Sequence, residues 1–245
     1  DDQLKSRHLH IGARSLLKEE FAYDPRKRLI RHTCSGEQLP RDAHGNPITS
    51  QTFRFDALDN IQQCLTTFAN GRNDMAQFTY ADDDSCQLKE VTHTYVEGGY
   101  KARQTFEYDA DGHMLNDEQG QRLNYNSQGR LLTVKDADNE QTLSTYRYDG
   151  HNHLIGVREG LQEETLRYYE GYSLSHTRQG SVQTQYLFHG DLPLAEQQLH
   201  THDRTLLLMT DASPSVIGEC LQGKQHSIVY SAYGHRSAEE ALTTL

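Results

Sequence analysis

Fourteen histidines among 245 residues invite a metal reading, and two pairs have ligand-like spacing, His8-x-His10 and His200-x-His202. On a strand, residues two apart share a face, so each pair could aim two imidazoles at one cation. Neither pair has a cysteine or carboxylate placed to complete a ligand set, so exposed strand or loop positions are the stronger expectation. The run Asp82-Asp83-Asp84 has the charge of a calcium loop but lacks the alternating oxygens and closing glutamate of an EF-hand; a solvated turn is expected instead. No Gly-x-Ser-x-Gly occurs, and Gly98-Gly99 carries no phosphate-loop pattern. With 35 acidic residues, any chosen carboxylate pair is uninformative. Cys34, Cys64, Cys86 and Cys220 are irregularly spaced without a CxxC and read as free thiols. Catalytic, cofactor-binding and metal-binding residues are therefore expected to be absent, and no cofactor is implied.

A net charge of −11 argues against nucleic acid as a partner. The densest positive stretch, residues 25–32, reads as strand flanks around Leu29 and Ile30. The longest run of large apolar side chains, residues 206–209, is far too short to span a bilayer. Apolar residues make up 35 %, tryptophan is absent, and 14 tyrosines stand against 7 phenylalanines. Tyrosine suits positions with a buried body and a wet tip, so the profile fits extensive half-buried surface better than a thick dry core. The chain opens at Asp1 without a methionine and shows no signal peptide, which suggests a piece of something longer.

What would position any functional group is a repeat. Phe106-Glu-Tyr108-Asp109-Ala-Asp-Gly112-His-Met-Leu is followed 17 residues on by Leu123-Asn-Tyr125-Asn126-Ser-Gln-Gly129-Arg-Leu-Leu. The same aromatic-x-aromatic element followed by a turn residue recurs at Tyr23-Asp24, Phe55-Asp56, Tyr80-Ala81 and Tyr148-Asp149, with worn copies ending at Tyr168 and at Tyr186-Leu-Phe188. Apolar–polar–apolar alternation is the period of a half-buried strand. Asp or Asn starts a turn by bonding its own backbone, and glycine supplies the positive φ that closes it. Each unit thus predicts one antiparallel hairpin, and the fold class is all-β: tandem hairpins in a curved, spiralling sheet strip, each covering its neighbour's edge. Residues 56–71 also show near-helical apolar spacing, but the strand reading is favoured. Residues 237–245 open like a capping box and predict a short helix or loose end. Residues 40–47 are the clearest loop, and no domain linker is visible.

This tandem motif resembles the YD repeats of bacterial Rhs proteins and of the C component of Tc insecticidal toxin complexes. Residues 34–61, "CSGEQLPRDAHGNPITSQTFRFDALDNI", resemble a segment of the Tc branch. "LLLMTDASPSVIGE" and "VYSAYGHR", which includes Tyr233 and Gly234, resemble the approach to the Rhs-associated core. The resemblance implies a repeat strip over residues 1–236 and a run-in, 237–245, to a core that the sequence does not reach. It implies a shell segment around a C-terminal toxic cargo. Its partners would be the remaining segments of the same polypeptide, a Tc B-like shell component and the enclosed toxin. The complex would be made in the bacterial cytoplasm and secreted or delivered. The family's aspartyl autoprotease has no counterpart here. Phe55 in place of Tyr, Ala81 in place of Asp, and Gly150 arriving early depart from the motif. The alternative is a carbohydrate- or cell-surface-binding repeat module, with tyrosine rings stacking on sugars.

Overall fold

The computed structural model describes residues 3–199, 204–211, 214–236 and 242–244. The chain forms two compact units. Unit 1 comprises Asp1–Thr105 with Val229–Glu239, and unit 2 comprises Phe106–Ile228 with Glu240–Leu245. Residues 237–241 and 245, most of the stretch expected to form a short helix or loose end, lie outside the described residues, as do His200 and His202; residues 242–244 are not helical.

Unit 1 is an eight-stranded antiparallel sheet in sequence order. Its strands are β1 (Ser6–Ile11), β2 (Arg14–Tyr23), β3 (Leu29–Gly36) and β4 (Ile48–Phe55). They continue with β5 (Ile61–Phe68), β6 (Asn73–Tyr80), β7 (Leu88–Thr92) and β8 (Arg103–Thr105), with one 3-10 turn at Val96–Gly98. Residues 56–71 are thus strand and turn, not helix. Alternation builds the faces: in β5, Cys64, Thr66 and Phe68 are buried while the residues between them are half-buried. Phe68 and Ile48, cross-strand partners, are each 1 % exposed. The buried set is unusually polar, holding Glu19, His32, Thr66 and Asp74 beside the aliphatic side chains.

Unit 2 is an eleven-stranded antiparallel sheet, again in sequence order. It runs β9 (Arg122–Tyr125), β10 (Leu131–Lys135), β11 (Thr142–Tyr148), β12 (Leu154–Glu159) and β13 (Thr165–Glu170). It goes on through β14 (Ser173–Gln179), β15 (Val182–His189), β16 (Leu192–Leu199), β17 (Arg204–Thr210), β18 (Val216–Leu221) and β19 (Lys224–Ser227). Neither sheet closes into a barrel, and the described residues contain no α-helix. Among the described residues, no helix is long and apolar enough to cross a membrane.

Glu196 of β16 and Glu219 of β18 are buried on the same face of the unit 2 sheet. They hold backbone. Leu242 N donates to both Glu219 oxygens at 2.8 and 3.1 Å, and Thr243 N donates to Oε2 at 3.0 Å. Thr244 N donates to Glu196 Oε1 at 2.8 Å. The Thr243 and Thr244 hydroxyls also bond Glu196. Residues 242–244 are thereby fastened across the sheet, with Thr244 Oγ1 also 2.9 Å from the Tyr186 hydroxyl.

Candidate functional site: a rim of repeated turns

The motif's acidic residue closes a five-residue turn by the same bonds each time. Asp109 N donates to His113 O, Gly112 N donates to Asp109 O, and Asp109 Oδ1 accepts from the N–H groups of Asp111 and His113. Asp149 repeats this with His151 and His153, Asn126 with Gln128 and Arg130, and Asp24 with Arg26 and Arg28. Asp56 makes its N–H bond to Asn60 O and accepts at Oδ1 from the N–H groups of Leu58 and Asn60. The fourth residue must take a left-handed conformation, as Gly112 and Gly129 do with φ of 82° and 72°. At Gly129 a β-carbon would also stand 2.6 Å from His113 Nε2. Where glycine is missing, Lys27, Asp59 and Asn152 adopt positive φ themselves. Asn152 fills this place in the turn where Gly150 comes early, and Asn tolerates it better than most side chains.

Copies without the aromatic pair were missed by sequence reasoning. Asp42 closes the same turn on Gly45 and Asn46, and Asp117 on Gly120 and Gln121. Ser231 builds a hydroxyl version: Gly234 N donates to Ser231 O and His235 N to Ser231 Oγ. There the residue preceding the turn is Tyr230, which bridges Arg236. Tyr233 sits within the turn, 58 % exposed, with its ring edge 4.8 Å from Phe53.

The aromatic before each turn pairs with the first apolar residue after it: Tyr23 with Leu29, Phe55 with Ile61, Tyr125 with Leu131, Tyr148 with Leu154. The register then slips by one residue, leaving Ile30, Gln62, Leu132 and Ile155 as bulges. This accounts for the motif's adjacent apolar pair, which period-two alternation alone does not produce. The turns led by an aromatic fall at every second connection, so in each meander they gather along one end of the sheet, while the Asp42 and Asp117 copies close intervening connections.

Neighbouring turns along that rim are stitched by the fifth residue, which the sequence shows only as polar. Arg28 pairs with Asp24 Oδ2, bonds Asp56 O and Asp59 Oδ1 at 2.9 and 2.7 Å, and lies 4.7 Å over the Phe55 ring. His113 bonds Asp109 Oδ2 at 2.9 Å and stacks 4.9 Å from Tyr125. His153 bonds Asp149 Oδ2 at 3.2 Å and stacks 5.0 Å from Tyr169. Asn60 bonds Asp56 Oδ2 and reaches Ser85 O. The hydroxyls run the other way: Tyr80 to Ile61 O at 2.9 Å, Tyr23 to Leu4 O and Tyr169 to Leu154 O, both 3.0 Å. In this last copy the linking ring is Tyr169; Tyr168 stacks on His176 at 4.3 Å. Tyr108 pairs with Met114, and Tyr186 is buried two residues before the rim aromatic Phe188. Tyr23, Tyr108, Tyr125 and Tyr148 are all half-buried.

Electrostatics follow the bonding. The N–H groups and imidazole of His113 hold the Asp109 carboxyl below its usual range, and the His153 and His151 bonds do the same for Asp149. A carboxylate with a depressed pKa adds stability that is complete above its unfolded value and is lost as pH falls through the folded one. Below about pH 4 the turns at Asp109 and Asp149 are therefore expected to loosen. The Asn126 turn, which carries no titratable cap, should not loosen. Faster amide exchange at Gly112 and Asn152 than at Gly129 on acidification would show this; equal acceleration at all three would contradict it. Burial pushes the Cys34 and Cys64 thiols up, to about 12 and about 11, so neither is an activated nucleophile. The His8 and His10 rings stand 3.8 Å apart. Among the described residues they belong to no set of three potential metal donors.

The profile of the teneurin YD-shell matches residues 1–240. The chain belongs to the YD-shell family. No curated protein sequence matches this YD-shell chain. Among solved structures, the crystal structure of TcdB2-TccC3-Cdc42 is similar at 13 % identity and a TM-score of 0.58, over 91 % of this chain and 14 % of that one. TcdB2-TccC3 is similar at 13 % identity and a TM-score of 0.54, over 96 % and 14 %. The Photorhabdus luminescens Tc holotoxin pore with the mutation TccC3-D651A gives 13 % identity and 0.52, over 91 % and 13 %. The YD shell described here therefore spans about one-seventh of the chains it matches, and the likeness is one of fold. Its role is structural, of the shell type.

Proposed function

We propose that this chain is one arc of the wall of a toxin-containing shell. Residues 1–236 form the repeat strip and 237–245 lead into the segment that follows. The observation that carries this reading is the rim: successive turns share one hydrogen-bond pattern, and links such as Arg28 to Asp56 O and His113 to the Tyr125 ring tie one turn to the next, so hairpins add without a new fold. Right-handed twist accumulating over many such strands turns a strip into a spiral that encloses volume. β1 and β8 stand outermost in unit 1 and β9 and β19 in unit 2, and further segments would add at those margins. Those segments are the rest of the same polypeptide and a Tc B-like component; the enclosed partner is a C-terminal toxin, delivered outside the producing cell. The wall itself is non-catalytic.

The whole reading frame containing this chain is expected to form a particle whose internal segment resists protease while that segment, made alone, is digested. Equal digestion of both would sink the proposal. Changing Tyr108 and Tyr125 to alanine should abolish folding of unit 2 and assembly of the particle. An intact fold that had instead lost binding on a glycan array would replace the wall by a carbohydrate-binding module.

A further inference from the structure

Glu19 of β2 stands directly opposite Cys34 of β3, with His32 two residues away on the same face. All three are buried, at 1, 7 and 1 % exposure. Glu19 Oε1 lies 3.0 Å from His32 Nε2, and Cys34 Sγ lies 3.3 Å from the same nitrogen. A nucleophilic triad would place sulfur and carboxylate on opposite nitrogens of the ring; here both converge on one. The other carboxylate oxygen, Oε2, accepts from Arg7 Nε at 2.6 Å, and Phe21 stacks on the imidazole at 4.7 Å and 7°. Both outer ligands are thus oriented by neighbours.

We propose that Glu19, His32 and Cys34 form a buried zinc site that ties β2 to β3. One oxygen, one nitrogen and one sulfur lie within 4.8 Å of one another. Around a tetrahedral zinc, with bonds of about 2.0–2.3 Å, neighbouring donors stand about 3.3–3.7 Å apart. The two measured edges are a few tenths of an ångström shorter, so small side-chain rotations open the centre. The donor set selects the ion. Magnesium and calcium prefer oxygen throughout, and copper(I) has little use for a carboxylate, whereas zinc takes all three donors. The carboxylate and a thiolate neutralise Zn²⁺, the thiol proton leaving to solvent. Arg7, with a side chain 22 % exposed, keeps contact with water while fixing the carboxylate from outside. The edge strand β1 carries Arg7, so its displacement opens the route for the ion. The spacing His32-x-Cys34 was visible in the sequence, but its third ligand is supplied across the hairpin. This site lies away from the rim and does not depend on the shell reading.

The test uses the full 245-residue chain with Cys64, Cys86 and Cys220 changed to serine, leaving Cys34 as the sole thiol. Cobalt(II) is the spectroscopic probe, and zinc is titrated against a chromophoric chelator. One equivalent is expected to bind with a thiolate-to-cobalt charge-transfer band, and zinc should raise the melting temperature. Cys34→Ser should remove the band and the thermal shift while circular dichroism shows the sheet intact. His32→Gln should weaken zinc at least about tenfold. No stoichiometric binding, or a band that survives Cys34→Ser, would overturn the proposal; so would binding without the band.

Discussion

Replacing Phe68 with alanine is expected to destabilise unit 1 by about 4 kcal/mol. The ring is almost fully buried, opposite Ile48 across the β4–β5 ladder and 5.3 and 6.4 Å from the rings of Tyr95 and Tyr100. Its removal forfeits the transfer of a large apolar side chain and leaves a cavity. The backbone around it is pinned by Phe68 N donating to Arg72 O and Gly71 N donating to Phe68 O, so the cavity has little freedom to collapse. Equilibrium urea unfolding followed by tyrosine fluorescence measures the loss. A change below about 1 kcal/mol would mean that the ring is not a core element.

Glu219→Ala is expected to cost unit 2 about 3 kcal/mol and to free residues 242–244 from the sheet. The substitution strips the acceptor from the half-buried bond of Leu242 N and from the buried amide of Thr243, and a buried donor left unsatisfied costs about 1–3 kcal/mol. Glu219→Gln keeps one carbonyl oxygen and should fall between wild type and alanine. Limited proteolysis reads the effect directly: cleavage near residue 242 should accelerate before the rest of unit 2 is attacked. Simultaneous loss of the whole unit would show that the fastening and the sheet are one cooperative element.

The hairpins and their turns were legible because local chemistry writes them: Tyr108-Asp109 and Gly112 announce a strand end and a left-handed residue within five positions. Asn152 was not legible as the turn residue, because Gly150 gave a stronger but misplaced signal. The bulges at Ile30 and Leu132 were hidden, since an adjacent apolar pair looks like imperfect alternation until its partner strand is known. The same long-range pairing concealed Glu19, Glu196 and Glu219, which read as surface charge until the strands bring a histidine or free amides to them. His113 and His153 were passed over because a histidine after a turn glycine is ordinarily solvent-facing; only the neighbouring Tyr125 and Tyr169 rings give it a role.

The two ends of each sheet have unequal licence to change. On the stitched rim the motif turns 24–28, 56–60, 126–130 and 149–153 are all five residues long, with 81–87 and 171–172 among the departures, while opposite them 37–47, 93–102, 136–141 and 180–181 differ widely. Adding one residue to a stitched turn would carry Arg28 or His153 off its own carboxylate and off the next ring together. At the other end the Asp42 turn, whose Asn46 bonds Asp42 Oδ2 and reaches Gly98 O, is tied in the same way, whereas insertions in a connection such as 136–141 leave the lattice of turns in step. A sheet built this way can lengthen or decorate one margin more freely than the other, and part of the irregular repeat period of the sequence is the trace of that freedom.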